Sequence, residues 1–227
     1  MLIRISGHSG AGKSRLLAAL PSVGITCQRA ILYTSRPARV GEVHGRDFYF
    51  LSRSAIAALP PQDFHIGPVR DLLQAVDLQQ LENDLQSYGV AIIEIFADLW
   101  PGLVAKMQER LKTPVASASV FMTAVDPGLI CAQPDDRRAA FIRSEVKRIL
   151  TWRNKDLPDK IELRAASAAK EILQALGPKG SALYTEVLFS APEGPDGEDE
   201  WTIAGGPTGQ ASVVLKKFAQ FFKTATG

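Results

Sequence analysis

Cysteine is nearly missing from this chain: of 227 residues only Cys27 and Cys131 carry a thiol, far apart and at no metal or redox spacing. A disulfide scaffold and a Cys-ligated metal site are thereby excluded, and a reducing compartment is expected. No apolar run approaches the ~18 residues of a membrane-spanning helix. Met1 leads straight into the apolar run Leu2 to Ile5, so no secretory leader is expected and the protein is placed in the cytoplasm, away from membranes. The three histidines, His8, His44 and His65, lack ligand spacing, which argues against a metal held by protein side chains alone. No GxSxG segment occurs, so acyl-transfer chemistry lacks support. Aromatics make up 7% of the chain and are not interleaved with its basic residues; binding of a polynucleotide through stacking is therefore not expected. Internal repeats and heptads are also missing, which excludes solenoid and coiled-coil architectures.

What is present suits a globular protein with a proper core, at 46% hydrophobic and 22% charged residues. The net charge of +2 is uneven: Glu193, Asp196, Glu198, Asp199 and Glu200 fall in one Pro/Gly-punctuated run, leaving 26 bases against 19 acids elsewhere. That run reads as an exposed tip. A basic body suits a polyanionic ligand.

Gly7, His8, Ser9, Gly10, Ala11, Gly12, Lys13 and Ser14 form a full GxxxxGK[ST] match. It lies between the predicted strand Leu2 to Ile5 and a predicted helix Ser14 to Leu20, the context a phosphate-binding loop needs. Glycines let the backbone curl until several amides face one phosphate chain. Lys13 then reaches the β/γ-phosphates and Ser14 holds Mg²⁺. His8 reads as a spacer.

Further apolar runs at Ala30 to Tyr33, Val90 to Phe96, Val115 to Met122 and Leu183 to Phe189 predict strands. Being continuous rather than alternating, they point to a mostly parallel sheet buried on both faces, hence an α/β fold. Helices are predicted over Leu78 to Ser87, Pro101 to Leu111, Arg138 to Trp152, Asp159 to Leu176 and Val213 to Phe222. Asp77 is placed as the cap of the first of these, and Gly177-Pro178 as the stop of the fourth. One domain, 1–227, is expected, with its core in 1–33, 88–136 and 165–227. The polar stretch 34–87, with a short strand at Asp47 to Leu51, forms a small substrate-binding lobe. Residues 137–164 hold nine bases and four acids and form a helical lid. The alternative for this stretch is a solvated basic face whose buried side is Ile142, Val146 and Ile149.

Thr34-Ser-Arg-Pro-Ala-Arg-Val-Gly-Glu-Val-His-Gly-Arg-Asp-Phe-Tyr-Phe50 resembles the TTRxPRxGExxGxxYxF segment of guanylate kinases. Arg148-Ile-Leu-Thr-Trp-Arg153-Asn-Lys-Asp156, followed by Ile161, Arg164, Ala168 and Glu171, is similar to that family's lid signature. The resemblance implies a P-loop NTPase-type three-layer fold with a parallel central sheet, an acceptor-binding lobe and a helical lid. It also implies an ATP- and Mg²⁺-dependent kinase of nucleoside monophosphates, GMP first, with small-molecule nucleotides as its partners. Lys13, Arg148, Arg153 and Arg164 then act on the transferring phosphoryl group. Arg36 and Arg39 grip the acceptor phosphate, with Ser35 adding a hydroxyl and Glu42 matching the family's Gly-Glu pair.

The chain departs from that pattern at several places, one of them a longer connection, Met122 to Arg137, into the lid. Phe48 stands where the family has a tyrosine; Tyr49 replaces its hydroxyl only if a bulge turns it round. The family's base-reading glutamate and YGT segment have no counterpart in Asp63 to Leu81. Glu94 is the one acid within the apolar run 90–96, either facing Mg²⁺-bound water, Lys13 or acceptor, or held as a structural hydrogen-bonded acid. The rival readings are a kinase of another nucleotide or sugar phosphate, and a nucleotide-sensing or partner-docking module on the same fold.

Overall fold

The computed structural model describes residues 1–39, 41–69, 71–152, 158–190 and 209–226. Arg153, residues 154–157, the acidic run at 193–200 and Trp201 fall outside them. Along the chain run β1 (Leu2–Gly7), α1 (Lys13–Ala19), β2 (Gln28–Arg29), β3 (Tyr33–Thr34), β4 (Tyr49–Phe50), α2 (Arg53–Ala57), β5 (Phe64–Val69) and β6 (Leu72–Asp77). Then follow α3 (Leu78–Tyr88), β7 (Ala91–Ile93), α4 (Trp100–Leu111), β8 (Ser117–Thr123), α5 (Pro127–Cys131) and α6 (Asp135–Trp152). Last come α7 (Pro158–Leu176), α8 (Gly180–Leu183), β9 (Glu186–Phe189) and α9 (Gly209–Thr226). The α/β expectation holds, and no helix among the described residues is long and apolar enough to cross a membrane.

Two compact units divide the chain, one of Met1–Arg4 with Cys27–Ala118 and one of Ile5–Thr26 with Ser119–Gly227. Strand β1 runs from the first into the second.

In the first unit β1 and β2 both pair in parallel with β7, Ile3 opposite Ile92 and Gln28 opposite Ala91. Leu2, Ala91, Ile93, Leu81, Trp100, Leu103 and Met107 pack into its apolar core. A second, four-stranded sheet runs β4-β3-β6-β5. The expected strand at Ala30 to Tyr33 is instead two short strands: β2 belongs to the first sheet and β3 to the second, so 30–32 is the passage between sheets. The hairpin β5–β6 has no local signal in the sequence, because Gly67-Pro68 reads as punctuation. Pro68 is tolerated there since β5 is an edge strand and can lack one amide.

In the second unit β8 and β9 pair in parallel, with Met122 opposite Leu188. The strand expected from Leu183 starts only at Glu186, because 180–183 closes a helical turn. Helices α6 and α7 pack through Ile142, Val146, Ile149 and Leu150 against Ala165, Ala168, Ala169 and Ile172. Small alanines on one helix and branched side chains on the other allow close approach. Helix α9 lies along β9 and α1. As expected, α7 stops before Gly177, and the Asp77 carboxylate accepts from the Gln80 amide at 2.9 Å to cap α3.

Candidate functional site

Each unit carries one half of the chemistry read from the sequence. In the second unit the loop 7–14 leaves β1 and turns into α1 at Gly12. Gly7, Gly10 and Gly12 have φ of 143°, 92° and 79°, values that L side chains rarely adopt. At Gly7 a Cβ would stand 2.2 Å from the Met122 carbonyl oxygen, so close strand packing also demands glycine. Lys13 Nζ donates to the Gly7 and His8 carbonyl oxygens at 2.6 and 3.1 Å. The ammonium is thus folded back over the loop, and Ser14 follows it, exposed, in the first turn of α1. The Ser14 hydroxyl is a hard oxygen donor that fits Mg²⁺ completed by phosphate oxygens and water. Among the described residues no three His, Cys, Asp or Glu side chains converge on a metal position.

His8 is more than a spacer. Its ring is 1% exposed; Nε2 accepts from the Ala124 amide at 3.0 Å and Nδ1 lies 2.7 Å from the Ser9 carbonyl. An amide can only donate, so Nε2 is the acceptor and Nδ1 carries the proton toward Ser9. The imidazole therefore ties the loop to the end of β8. Its partner is 116 residues away, and no local pattern announces such a contact.

Arg148 is exposed on α6 and meets Glu145 at 3.3 Å. Lys147 pairs with Glu162 between α6 and α7. Arg164 lies on α7, half-buried. Ile142, Val146 and Ile149 are fully buried beneath this basic surface. The sequence boundary between lid and core, at 164, falls inside the single helix α7.

In the first unit Arg36 forms a fork on Glu42, Nη1 to Oε2 at 2.6 Å and Nη2 to Oε1 at 2.7 Å. Its guanidinium lies over the rings of Phe48 and Phe50, 4.8 and 5.3 Å from their centroids, a favourable cation–π arrangement. Burial pushes the Glu42 carboxyl up, but the Arg36 hydrogen bonds, the Arg39 amide and both arginine charges outweigh it and hold it below the ordinary range. The Ser35 hydroxyl accepts from the Leu73 amide at 2.9 Å, which leaves its O–H to donate. Tyr49 stacks on Tyr33 with centroids 4.6 Å apart. Strand alternation puts it on the face opposite Phe48, Phe50 and Arg36, and no bulge reverses it.

Glu94 lies with its Oε1 3.0 Å from Arg29 Nε. Both atoms are buried and out of hydrogen-bond alignment, so the contact is ionic. Arg29 was not singled out in the sequence; its only signal is a base beside a strand whose neighbour carries a lone acid.

A glycine-rich loop between a parallel strand and a helix, on a mixed α/β framework with a smaller sheet and a basic helix pair, defines a P-loop protein of the nucleoside monophosphate kinase type. The family model described as guanylate kinase matches residues 1–66. A guanylate kinase of Polaromonas sp. is 30% identical over 174 residues, 77% of this chain and 74% of the relative. One from Geobacter metallireducens is 42% identical over 177 residues, covering 77% and 76%. The crystal structure of guanylate kinase from Anaplasma phagocytophilum superposes with a TM-score of 0.53 at 16% identity, covering all of this chain and 86% of that one, a likeness of fold. The chain belongs to the guanylate kinase family.

Proposed function

We propose that the protein transfers the γ-phosphoryl group of ATP to GMP, giving GDP and ADP, in the cytoplasm. The observation that carries this reading is the intact phosphate loop, with its three glycines in left-handed φ and Lys13 poised over its carbonyls. A phosphate chain entering the loop offers Lys13 charged oxygens in place of neutral carbonyls, and charge-assisted hydrogen bonds are the stronger. The Ser14 hydroxyl, together with phosphate oxygens, would hold Mg²⁺, which would supply positive charge against the transferring group.

Arg36, with Arg39, receives the acceptor phosphate. An acceptor phosphate oxygen attacks the γ-phosphorus, the bond from that phosphorus to the β–γ bridging oxygen breaks, and ADP leaves with the electron pair. Arg148, Arg153 and Arg164 close over the transferring group, neutralising it and excluding water. Residues 34–87 act as the acceptor lobe, 137–164 as the lid and the remainder as the core. Glu94 keeps Arg29 oriented at the end of β7.

A second reading has its own support. Phe48 offers no hydroxyl, Tyr49 is turned to the other face, and the β5–β6 hairpin carries neither Glu nor Tyr. These features favour a kinase that accepts another nucleotide or a sugar phosphate. A coupled ADP-release assay over nucleoside monophosphates and sugar phosphates tests both, GMP being expected to give the highest kcat/KM. A different leading acceptor selects the second reading, and no acceptor-stimulated ADP release with any compound rejects both.

A further inference from the structure

The inner strand β6 carries one polar side chain that the hairpin itself does not use. Gln74 stands opposite Thr34 on β3 and opposite Gly67 on β5. Its Oε1 is buried and has no hydrogen-bond partner. Glutamine is mostly an exposed residue, and a buried polar atom without a partner is costly, so a demand other than folding is indicated.

The surroundings say which. Thr34, Phe50 and Gln74 share one face of the small sheet by register, and Arg36 lies over Phe50 and Phe48 on that face. Toward β5 the same face is closed by Leu99, whose Cδ2 lies 2.0 Å from where a Gly67 Cβ would be. Gln74 thus sits at the boundary between the covered half of the face and the half that presents the guanidinium. Thr34 is 1% exposed and its Oγ1 is 3.5 Å from the Arg36 amide, so it is engaged locally.

On the reading that this lobe receives the phosphorylated acceptor, we propose that Gln74 is the residue that selects it: with the phosphate on Arg36, the amide oxygen takes a hydrogen-bond donor from the acceptor's neutral part. The substrate class is a phosphomonoester whose uncharged portion carries an N–H or O–H group. A neutral amide does not require the paired N–H groups that a carboxylate reader favours.

The test combines calorimetric titration and steady-state kinetics on wild type, Gln74→Leu and Gln74→Met, with GMP, AMP and ribose 5-phosphate as probes. Met keeps the length and approximate volume of Gln and serves if Leu disturbs the fold. Loss of the hydrogen bond is expected to raise Kd and KM for the acceptor about tenfold, about 1.4 kcal/mol. ATP affinity stays unchanged and the melting temperature does not fall. Equal weakening of all three probes assigns the donor to sugar hydroxyls; weakening confined to the nucleotides assigns it to the base. Affinities and KM within twofold of wild type for all three overturn the role of Gln74. Absent turnover in wild type rejects the kinase reading instead, and the titrations still decide the role of Gln74.

Discussion

Glu42 determines where Arg36 points, because two short hydrogen bonds hold the guanidinium flat against Phe48 and Phe50. With both side chains less than one-fifth exposed, Glu42→Gln loses a charge-assisted fork and is expected to cost about 1.5–3 kcal/mol. The pH dependence has a definite sign. Glu42 is held below its ordinary value of 4.5, so its contribution is complete above that value and is lost as pH falls toward the folded pKa. Melting curves from neutral to acid pH should show the gap between wild type and Glu42→Gln closing below about 4.5. At Phe48 the prediction runs the other way. Phe48→Tyr adds a hydroxyl on the Arg36 side of the strand, and acceptor KM is expected to drop roughly five- to tenfold, as for one hydrogen bond to a charged group. An unchanged KM would place the acceptor phosphate elsewhere.

At the level of elements, the phosphate loop and the long helices were legible because their signals are local. Gly12 and Lys13 stand at the start of α1, Asp77 caps α3, and Gly177 follows α7. The hairpin β5–β6, the His8 anchor and the Arg29–Glu94 contact were not legible, since each depends on partners distant in the chain. Gly7→Ala tests the strand-to-loop junction. A φ of 143° and a Met122 oxygen 2.2 Å from the new Cβ leave the backbone no room, so ATP binding should be lost and the melting temperature lowered. His65 tests the contact of β5 with the start of α4: it is 9% exposed, and its Nε2 lies 2.8 Å from the Leu99 carbonyl oxygen. Burial lowers its pKa from 6.5, the Leu99 hydrogen bond opposes this, and the Lys106 charge adds to it. The unfolded chain therefore takes up the proton first. Stability from His65 is complete above 6.5 and falls as pH drops toward the folded value. Urea unfolding between pH 7 and 5 should show this slope in wild type and a shallower one in His65→Gln.

For the whole molecule, phosphoryl transfer asks for a donor chain held by main-chain amides and a recipient held by guanidinium forks. The loop lies with Ile5–Thr26 and the Arg36 fork, proposed here to hold the recipient, within Cys27–Ala118, two different compact units, and β1 runs from one into the other. Transfer of label from γ-³²P-ATP, followed by separation of products, tracks the phosphoryl group itself. With GMP present the label is expected in GDP, and Lys13→Ala is expected to lower this rate at least about a hundredfold. Label that stays in ATP, or is released only as free phosphate whatever phosphorylated acceptor is supplied, would contradict the kinase reading.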